Sequence, residues 1–598
     1  MQVDTLQLKL TQTFKFQIVT FFCLGAIYGR GAWNVFAVLF LAGTTGHSCS
    51  TSGVLWFGNL TQEGSEHITL GNLTASYSLG DVTPTLISGE CDVTIATENG
   101  TNVTRDCPHG WVYYSEFEST IISEWELVCV RAYLSELSTT VYLLGSMFGA
   151  LLISPLSDKY GRRVVLLVSL IVQAVVGSCV SLSPNYTVFT ALRFVVGFFN
   201  MSIGLSSYVM VTELFPEVYC TLACCGLQIF WAVGIMLTSL FGFIVRNWRH
   251  LQLLISLPNI LFIVMIWFLP ESLPWLISQG KLDRAQAVVN RIAKFNGIKN
   301  LDVDEILNVQ HYSHNRQTAE EQRLVQHSDK QNQLEKENEE IDGQKFQSSH
   351  NEENIAAQNY TATSQTLDPC SYSDQSDKPS GGKCKSLFIL CSNPRLRFYS
   401  LILFYLFFVS SLSYFGISLS TPVLHGDQFI NLFLLGVVEI PAYILCVVVG
   451  GRFGRKIPLC VFLLICGVMN IIAAFTSNQR ISAIKILSDV CVIISKFAIT
   501  GVYTTIYLYA AEMFPTSVRN QAMGLSSFFE NLGSLTAPFI IFSAKSIPEL
   551  PMILFGAVSI VGAILVMIMP ETHRRPLPVF IEDLESLDKR NTKEHLEL

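Results

Sequence analysis

Six charged residues sit inside long apolar stretches of this chain: Arg30, Arg193, Glu439, Asp489, Lys496 and Glu530. A charge at the centre of a membrane-spanning helix costs about 2.5–3.5 kcal/mol on insertion scales, so each needs a partner or a task. The chemistry open to them is ion recognition. A buried carboxylate attracts a cation, and a carboxylate beside indole and phenol rings suits a quaternary ammonium. Glu439 precedes Pro441, whose missing amide hydrogen frees a carbonyl and lets a helix open onto a cavity. Arg30, Arg193 and Lys496 are the intramembrane cations; Arg193 and Lys496 fit either internal braces against acids or contacts in a site. Asp489, about two helical turns before Lys496, fits an outward-facing vestibule. The apolar stretches hold no paired histidine–carboxylate metal spacing and no serine–histidine set. The chain therefore reads as a non-enzyme, with no catalytic residue, metal or cofactor.

A second group of charges lies in short connections. Ser157-Asp158-Lys159-Tyr160-Gly161-Arg162-Arg163 joins two apolar runs, and Gly451-Arg452-Phe453-Gly454-Arg455-Lys456 joins two others. Glycine permits a tight helix end, and Lys/Arg clusters mark the cytoplasmic face of a membrane. Glu213, Glu512 and Arg519 fall at helix ends on the same side. Together with Asp158, Arg162, Arg163 and Arg455 they are candidate gating ion pairs, holding a cavity shut on the inside; otherwise they are snorkelling interfacial charges.

The elements that must position these groups are membrane spans. Half the residues are hydrophobic and 14% charged, too apolar for a soluble protein. A span needs about 20 apolar residues. Twelve runs qualify: 16–42, 137–157, 163–182, 187–211, 221–245, 250–269, 398–421, 429–450, 457–476, 484–510, 522–543 and 550–569. The first is longer than the core of a cleaved signal peptide and contains Arg30, so it reads as a retained span. The fold class expected is an all-α polytopic membrane protein of twelve transmembrane helices in two six-helix halves. The first half is 1–269 and the second 398–569. Between them lies a cytoplasmic segment, 270–397, and a cytoplasmic tail follows at 570–598. Within 270–397, apolar residues recur at helical spacing over Lys281–Asn296. Residues 310–383 are so poor in apolar side chains that burial cannot offset chain entropy, which predicts disorder.

The polar loop 43–131 holds Cys49, Cys91, Cys107 and Cys129, with sequons at Asn59, Asn72, Asn99 and Asn102. An even cysteine set beside clustered sequons points to an oxidised, glycosylated, extracellular loop. Four cysteines allow three pairings, and the sequence does not choose among them. Counting spans from this loop puts the Lys/Arg clusters and both termini in the cytoplasm, which suits a multi-pass protein of the plasma membrane. The net charge of −8 leaves no basic surface for nucleic acid. The partners read here are the lipid bilayer and a small organic ion; the oligomeric state is unknown.

The halves repeat one another. Glu213-Leu214-Phe215-Pro216 aligns with Glu512-Met513-Phe514-Pro515, and a glycine follows each proline by eighteen residues, at Gly234 and Gly533. Pro270-Glu271-Ser272 is echoed by Pro570-Glu571-Thr572. Two parallel halves enclosing a mid-membrane site is a transporter architecture.

The loop Asp158…Gly161-Arg162-Arg163, with Ser154 in place of a leading glycine, resembles the hallmark of the major facilitator superfamily; Gly451 replaces the acid in the second half. Several stretches resemble the organic cation/anion/zwitterion transporters, solute carrier family twenty-two. They include Cys107-Pro-His-Gly-Trp111, Ser123-Glu-Trp-Glu-Leu-Val-Cys129, Asn247-Trp-Arg-His-Leu-Gln-Leu-Leu-Ile-Ser-Leu-Pro258 and Pro270-Glu-Ser-Leu-Pro-Trp-Leu276. Pro274 stands where that family usually has Arg. The resemblance implies alternating-access transport of small organic ions, and substrate contacts at Tyr208, Gln228, Trp231 and Tyr414. It also marks position 531, where cation transporters carry Asp and anion or carnitine transporters Arg; this chain has Asn531, with Glu530 beside it. Met201 and Gly204 replace a Lys and a Trp of cation-transporting relatives. Glu530 corresponds to Trp231 by the internal repeat. With Glu439 they favour an organic cation or zwitterion, against an organic anion, an ion-coupled carnitine-like substrate or a non-transporting receptor on the same scaffold.

Overall fold

The computed structural model describes residues 7, 10, 14–43, 45–50, 65–70, 73–78, 85–88, 90–96, 102–107, 110–298, 394–477, 481–515 and 519–572. The first apolar run is interrupted: α1 (Lys15–Gly29), α2 (Gly31–Phe36) and α3 (Val38–Leu41) are separated at Arg30 and Ala37. Five more runs complete the first half: α5 (Tyr133–Tyr160), α6 (Arg162–Ser181), α7 (Tyr186–Thr212), α8 (Glu217–Ile244) and a split sixth, α9 (Trp248–Ser256) and α10 (Asn259–Ile266), with the small loop helix α4 (Ile121–Trp125) preceding α5. The split falls at Leu257-Pro258, where proline lacks the amide hydrogen that would continue the helix. The second half is α13 (Pro394–Leu419), α14 (Gln428–Phe453), α15 (Lys456–Ser477), α16 (Ser482–Met513), α17 (Arg519–Phe542) and α18 (Leu550–Ile568).

Of the twelve expected spans, eleven are long and apolar enough among the described residues to cross a membrane. The exception is α17. It forms over its full length, but Ser526, Glu530, Asn531 and Ser534 are buried on it and lower its hydropathy. Those polar side chains are carried inside the protein rather than toward lipid, which is where a functional helix keeps them.

The halves meet along two seams related by the repeat, α5 against α17 and α8 against α14. Within each half the repeat glycine marks a close approach of two helices. A Cβ on Gly234 would lie 2.1 Å from the Gly29 carbonyl oxygen, and one on Gly533 would lie 2.3 Å from that of Phe408. The glycine landmark of the repeat is thus the point where α8 touches α1 and, correspondingly, where α17 touches α13.

At one end of the bundle the loop carries seven short strands, β1 (Gly46–Cys49), β2 (Ser65–Leu70), β3 (Leu73–Ser78), β4 (Thr85–Ser88), β5 (Asp92–Ala96), β6 (Asn102–Asp106) and β7 (Trp111–Tyr114), in antiparallel sheets β1-β7, β2-β3 and β4-β5-β6. Disulfides join Cys49 to Cys107 and Cys91 to Cys129, one of the three open pairings. Asn102 opens β6, whereas Asn59, Asn72 and Asn99 lie outside the described residues. The loop is pinned to α9. Glu124 accepts from Trp248 Nε1 at 2.7 Å and is paired with Arg249. Burial would raise the Glu124 carboxyl, but the hydrogen bonds from Arg249 and Trp248 and the Arg249 charge outweigh it and hold the group below its ordinary value.

At the same end the halves close on one ring. Phe429, beginning α14, stacks on Phe40 with centroids 5.0 Å apart, meets Phe117 and Phe243, and lies under the Arg246 guanidinium at 4.4 Å.

At the opposite end α11 (Leu273–Ser278) and the amphipathic α12 (Leu282–Asn296) follow the first half. The polar N-terminal stretch is held there: Gln7 Nε2 donates to the Glu213 carbonyl, and Asn296 joins the Leu10 carbonyl, the Phe16 amide and Gln17. Residues 310–383 lie outside the described residues.

Candidate functional site

The centre of the molecule is a chain of aromatic hydroxyls between two carboxylates. From the first half, Trp231 of α8 donates its indole N–H to the Tyr414 hydroxyl at 2.9 Å, crossing the seam. Tyr28 of α1 lies 5.8 Å from the Trp231 ring and donates to Gln228 at 3.1 Å. From the second half, Tyr414 donates to Glu439 Oε1 at 2.6 Å and Tyr443 to Oε2 at 3.0 Å. The Tyr414 ring stacks obliquely on Tyr503, and Tyr503 on Tyr507, at 5.2 and 5.8 Å. Both of those tyrosines donate to Glu530, Tyr503 to Oε1 and Tyr507 to Oε2.

The two carboxylates differ in charge balance. Glu439 forms an ion pair with Lys496 Nζ at 2.7 Å, with both side chains fully buried. Lys496 also donates to Ser418 at 2.7 Å and stands 3.3 Å from the centre of the Tyr414 ring. The charge of Glu439 is thus matched inside the protein by Lys496. Glu530, 6% exposed, has no cationic partner among the described residues. Asn531, its neighbour, turns its amide back to the Ser527 carbonyl at 2.7 Å. The helical step of about 100° separates the two side chains, and the aromatic cluster is on the side of Glu530.

Tyr208 lies with Tyr28 in the apolar cluster of the first half and makes no hydrogen bond to either carboxylate. Among the described residues Arg193 pairs with no acid. Its guanidinium covers the Tyr142 ring at 4.5 Å and reaches the Asn34 carbonyl at 3.4 Å. Arg30 donates to Asn200 Oδ1 at 3.1 Å. Asp489 accepts from both the amide and Nδ1 of His425, beside a cavity of about 180 Å³ at the loop end of the second half.

The ion pairs at the opposite end are built within each half rather than between halves. Arg162 is bidentate to Glu213 at 3.1 and 3.3 Å and contacts Asp158 at 2.9 Å. Arg455 reaches Glu512 at 3.2 Å, and Thr572 donates to the other oxygen of Glu512 at 2.6 Å. Two expected members act otherwise. Arg163 contributes its backbone amide, to Glu271 at 3.0 Å. Arg519 donates Nε to the Phe514 carbonyl at 3.1 Å, closing its own turn instead of meeting an acid. In the second half the amides of Arg455 and Lys456 both donate to Glu571. Gly161 and Gly454 adopt φ of +105° and +83°, left to glycine by sterics, and so present those amides to the acids.

Glu271 and Glu571 carry a role that the sequence reading gave only as landmarks. Tyr503 and Tyr507 were missed, although their four-residue spacing places them on one face of α16.

The sequence pattern of the Major Facilitator Superfamily matches residues 132–538 and 432–586. The "Organic cation transporter protein" of Drosophila melanogaster is 31% identical over 520 residues, covering 87% of this chain and 82% of its own. The "Organic cation/carnitine transporter 2" of Rattus norvegicus is 29% identical, covering 95% and 91%. This chain belongs to the major facilitator superfamily, in its organic cation/anion/zwitterion transporter family. It is a membrane transporter. The fold agrees with the partially occluded, inward-open xylose transporter XylE of E. coli, at a TM-score of 0.53 and 12% identity over 94% of this chain and 98% of that one.

Proposed function

We propose that this protein moves organic cations or zwitterions across the plasma membrane by alternating access, with the substrate's positive group seated at Glu530. One observation carries the reading: Glu530 is buried, held by two tyrosine hydroxyls, and without a cationic partner among the described residues, while Glu439 is already neutralised by Lys496. An unmatched carboxylate in a dry site is expensive, and a cationic substrate supplies the missing charge. Tyr28, Trp231, Tyr414, Tyr503 and Tyr507 offer the ring faces that favour an alkylammonium. The Trp231–Tyr414 bond joins the halves at the site, so substrate arrival and movement of the halves share one contact. The loop is extracellular and both termini cytoplasmic, in keeping with the Lys/Arg clusters. For a cation, the membrane potential alone drives uptake, at about 2.3 kcal/mol per charge per 100 mV.

Transport of an organic anion, or of a carnitine-like substrate coupled to an ion, is the second reading, favoured by Arg30 and Arg193, which pair with no acid among the described residues. The test is uptake of labelled tetraethylammonium, carnitine and aminohippurate into expressing cells with the potential clamped. Cation uptake is expected to be lost at least tenfold in Glu530→Gln at equal surface expression. Strong aminohippurate uptake without the other two would refute the assignment.

A further inference from the structure

The first half holds two buried cations that no acid among the described residues neutralises. Arg30 and Arg193 are both 0% exposed, and neither forms an ion pair among the described residues. They reach across one contact in opposite directions. Arg30, at the start of α2, donates to Asn200 of α7, and Arg193 of α7 reaches the carbonyl of Asn34 in α2. Asn200 closes the loop by donating to the Gly31 carbonyl at 3.2 Å. Tyr142 of α5 lies within electrostatic reach of both guanidiniums and under one of them.

What remains at this place is a surplus of donors. Arg30 Nε and Nη1, Arg193 Nε and Nη2 and Asn34 Nδ2 are all buried with no hydrogen-bond partner among the described residues, and the Tyr142 hydroxyl lies beside them within reach of Asn200 alone. Arginine has five N–H donors and no acceptor capacity, and it stays protonated in proteins. Two like charges in a low-dielectric interior repel each other, and an orphaned buried charge is strongly unfavourable. In the second half the comparable cation, Lys496, has its carboxylate at 2.7 Å. A small anion would do for Arg30 and Arg193 what Glu439 does for Lys496, through charge-assisted hydrogen bonds.

We infer that Arg30 and Arg193, with Tyr142 and Asn34, form a binding site for a small monovalent anion inside the first half. The ligand is either an inorganic ion of chloride size or a small carboxylate, since both accept charge-assisted hydrogen bonds from N–H donors and full burial excludes a bulky anion.

The test uses the purified full-length protein in nanodiscs. Unfolding temperature and tryptophan fluorescence are titrated with sodium chloride against sodium isethionate at constant ionic strength, and separately with sodium acetate. A saturable response to chloride or acetate, absent with isethionate, is expected. The concentration for half response should rise at least tenfold in Arg30→Gln and in Arg193→Gln. A response to chloride alone identifies an inorganic ion; a response to acetate alone identifies a small carboxylate. Should a charge-removing variant fail to fold, Asn34→Ala, which deletes a donor and no charge, is expected to weaken the response several-fold. No saturable response to either anion in the unmodified protein overturns the site. So does an equal response in every folded variant.

Discussion

The two halves repeat one another in helix order and close approach but treat buried charge differently. Among the described residues, the second half matches Lys496 with Glu439 and leaves one carboxylate, Glu530, on tyrosine hydroxyls, whereas the first leaves two guanidiniums without acids. At the end away from the strand-bearing loop the asymmetry is milder. Arg162 meets two acids, Asp158 and Glu213, whereas Arg455 meets one, because Gly451 stands where the second would be. The halves thus share the contacts that shape the backbone and differ in their buried polar contents.

The comparison can be broken most forcefully at the matched pair. Lys496→Met alone should destabilise the protein by about 3–5 kcal/mol, because it strands a buried carboxylate. Lys496→Met with Glu439→Gln should recover most of that loss. Thermal unfolding of the purified variants measures both, and equal damage in the single and double variants would mean that the pair does not act as a unit.

A smaller effect is expected where Glu124 ties the loop to the first half. Glu124→Gln should cost roughly 1.5–3 kcal/mol, the range for hydrogen bonds to a charged group. The pH dependence follows from the direction of its shift. A carboxyl held below its ordinary value in the folded state contributes stability that is present above the unfolded value and is lost as pH falls through the folded one. Acid titration of the unfolding temperature should therefore show a decline below the usual carboxylate range that Glu124→Gln lacks.

The smallest effect sharpens the comparison at the Arg455 end. Gly451→Asp recreates the i,i+4 relation of Asp158 and Arg162 and should add about 0.2–1 kcal/mol. Adding Arg455→Ala should abolish the gain in a double-mutant cycle on unfolding temperature.

Much of this was readable in the chain. Apolar runs and Lys/Arg clusters gave the twelve-helix plan, and Gly234 and Gly533 marked the repeat because close backbone contact tolerates no side chain. The pairing of Glu439 with Lys496 was hidden, since the residues are distant in sequence and meet only when α14 packs on α16. The span at 522–543 was legible from its apolar run, although Ser526, Glu530, Asn531 and Ser534 lower the hydropathy of α17; they face inward, which a linear average cannot register. Arg163 and Arg519 looked like ion-pair members by residue type, but what matters at both is geometry, an amide turned to Glu271 and a guanidinium turned to its own carbonyl.

Phe429 meets Phe117 of the strand-bearing loop as well as Phe40 and Phe243 of the spans. The contact between the halves at that end is thus assembled partly from a loop that two disulfides cross-link. Reducing them should loosen how the halves meet at Phe429 and not only the loop itself, a lever that the bundle alone does not possess.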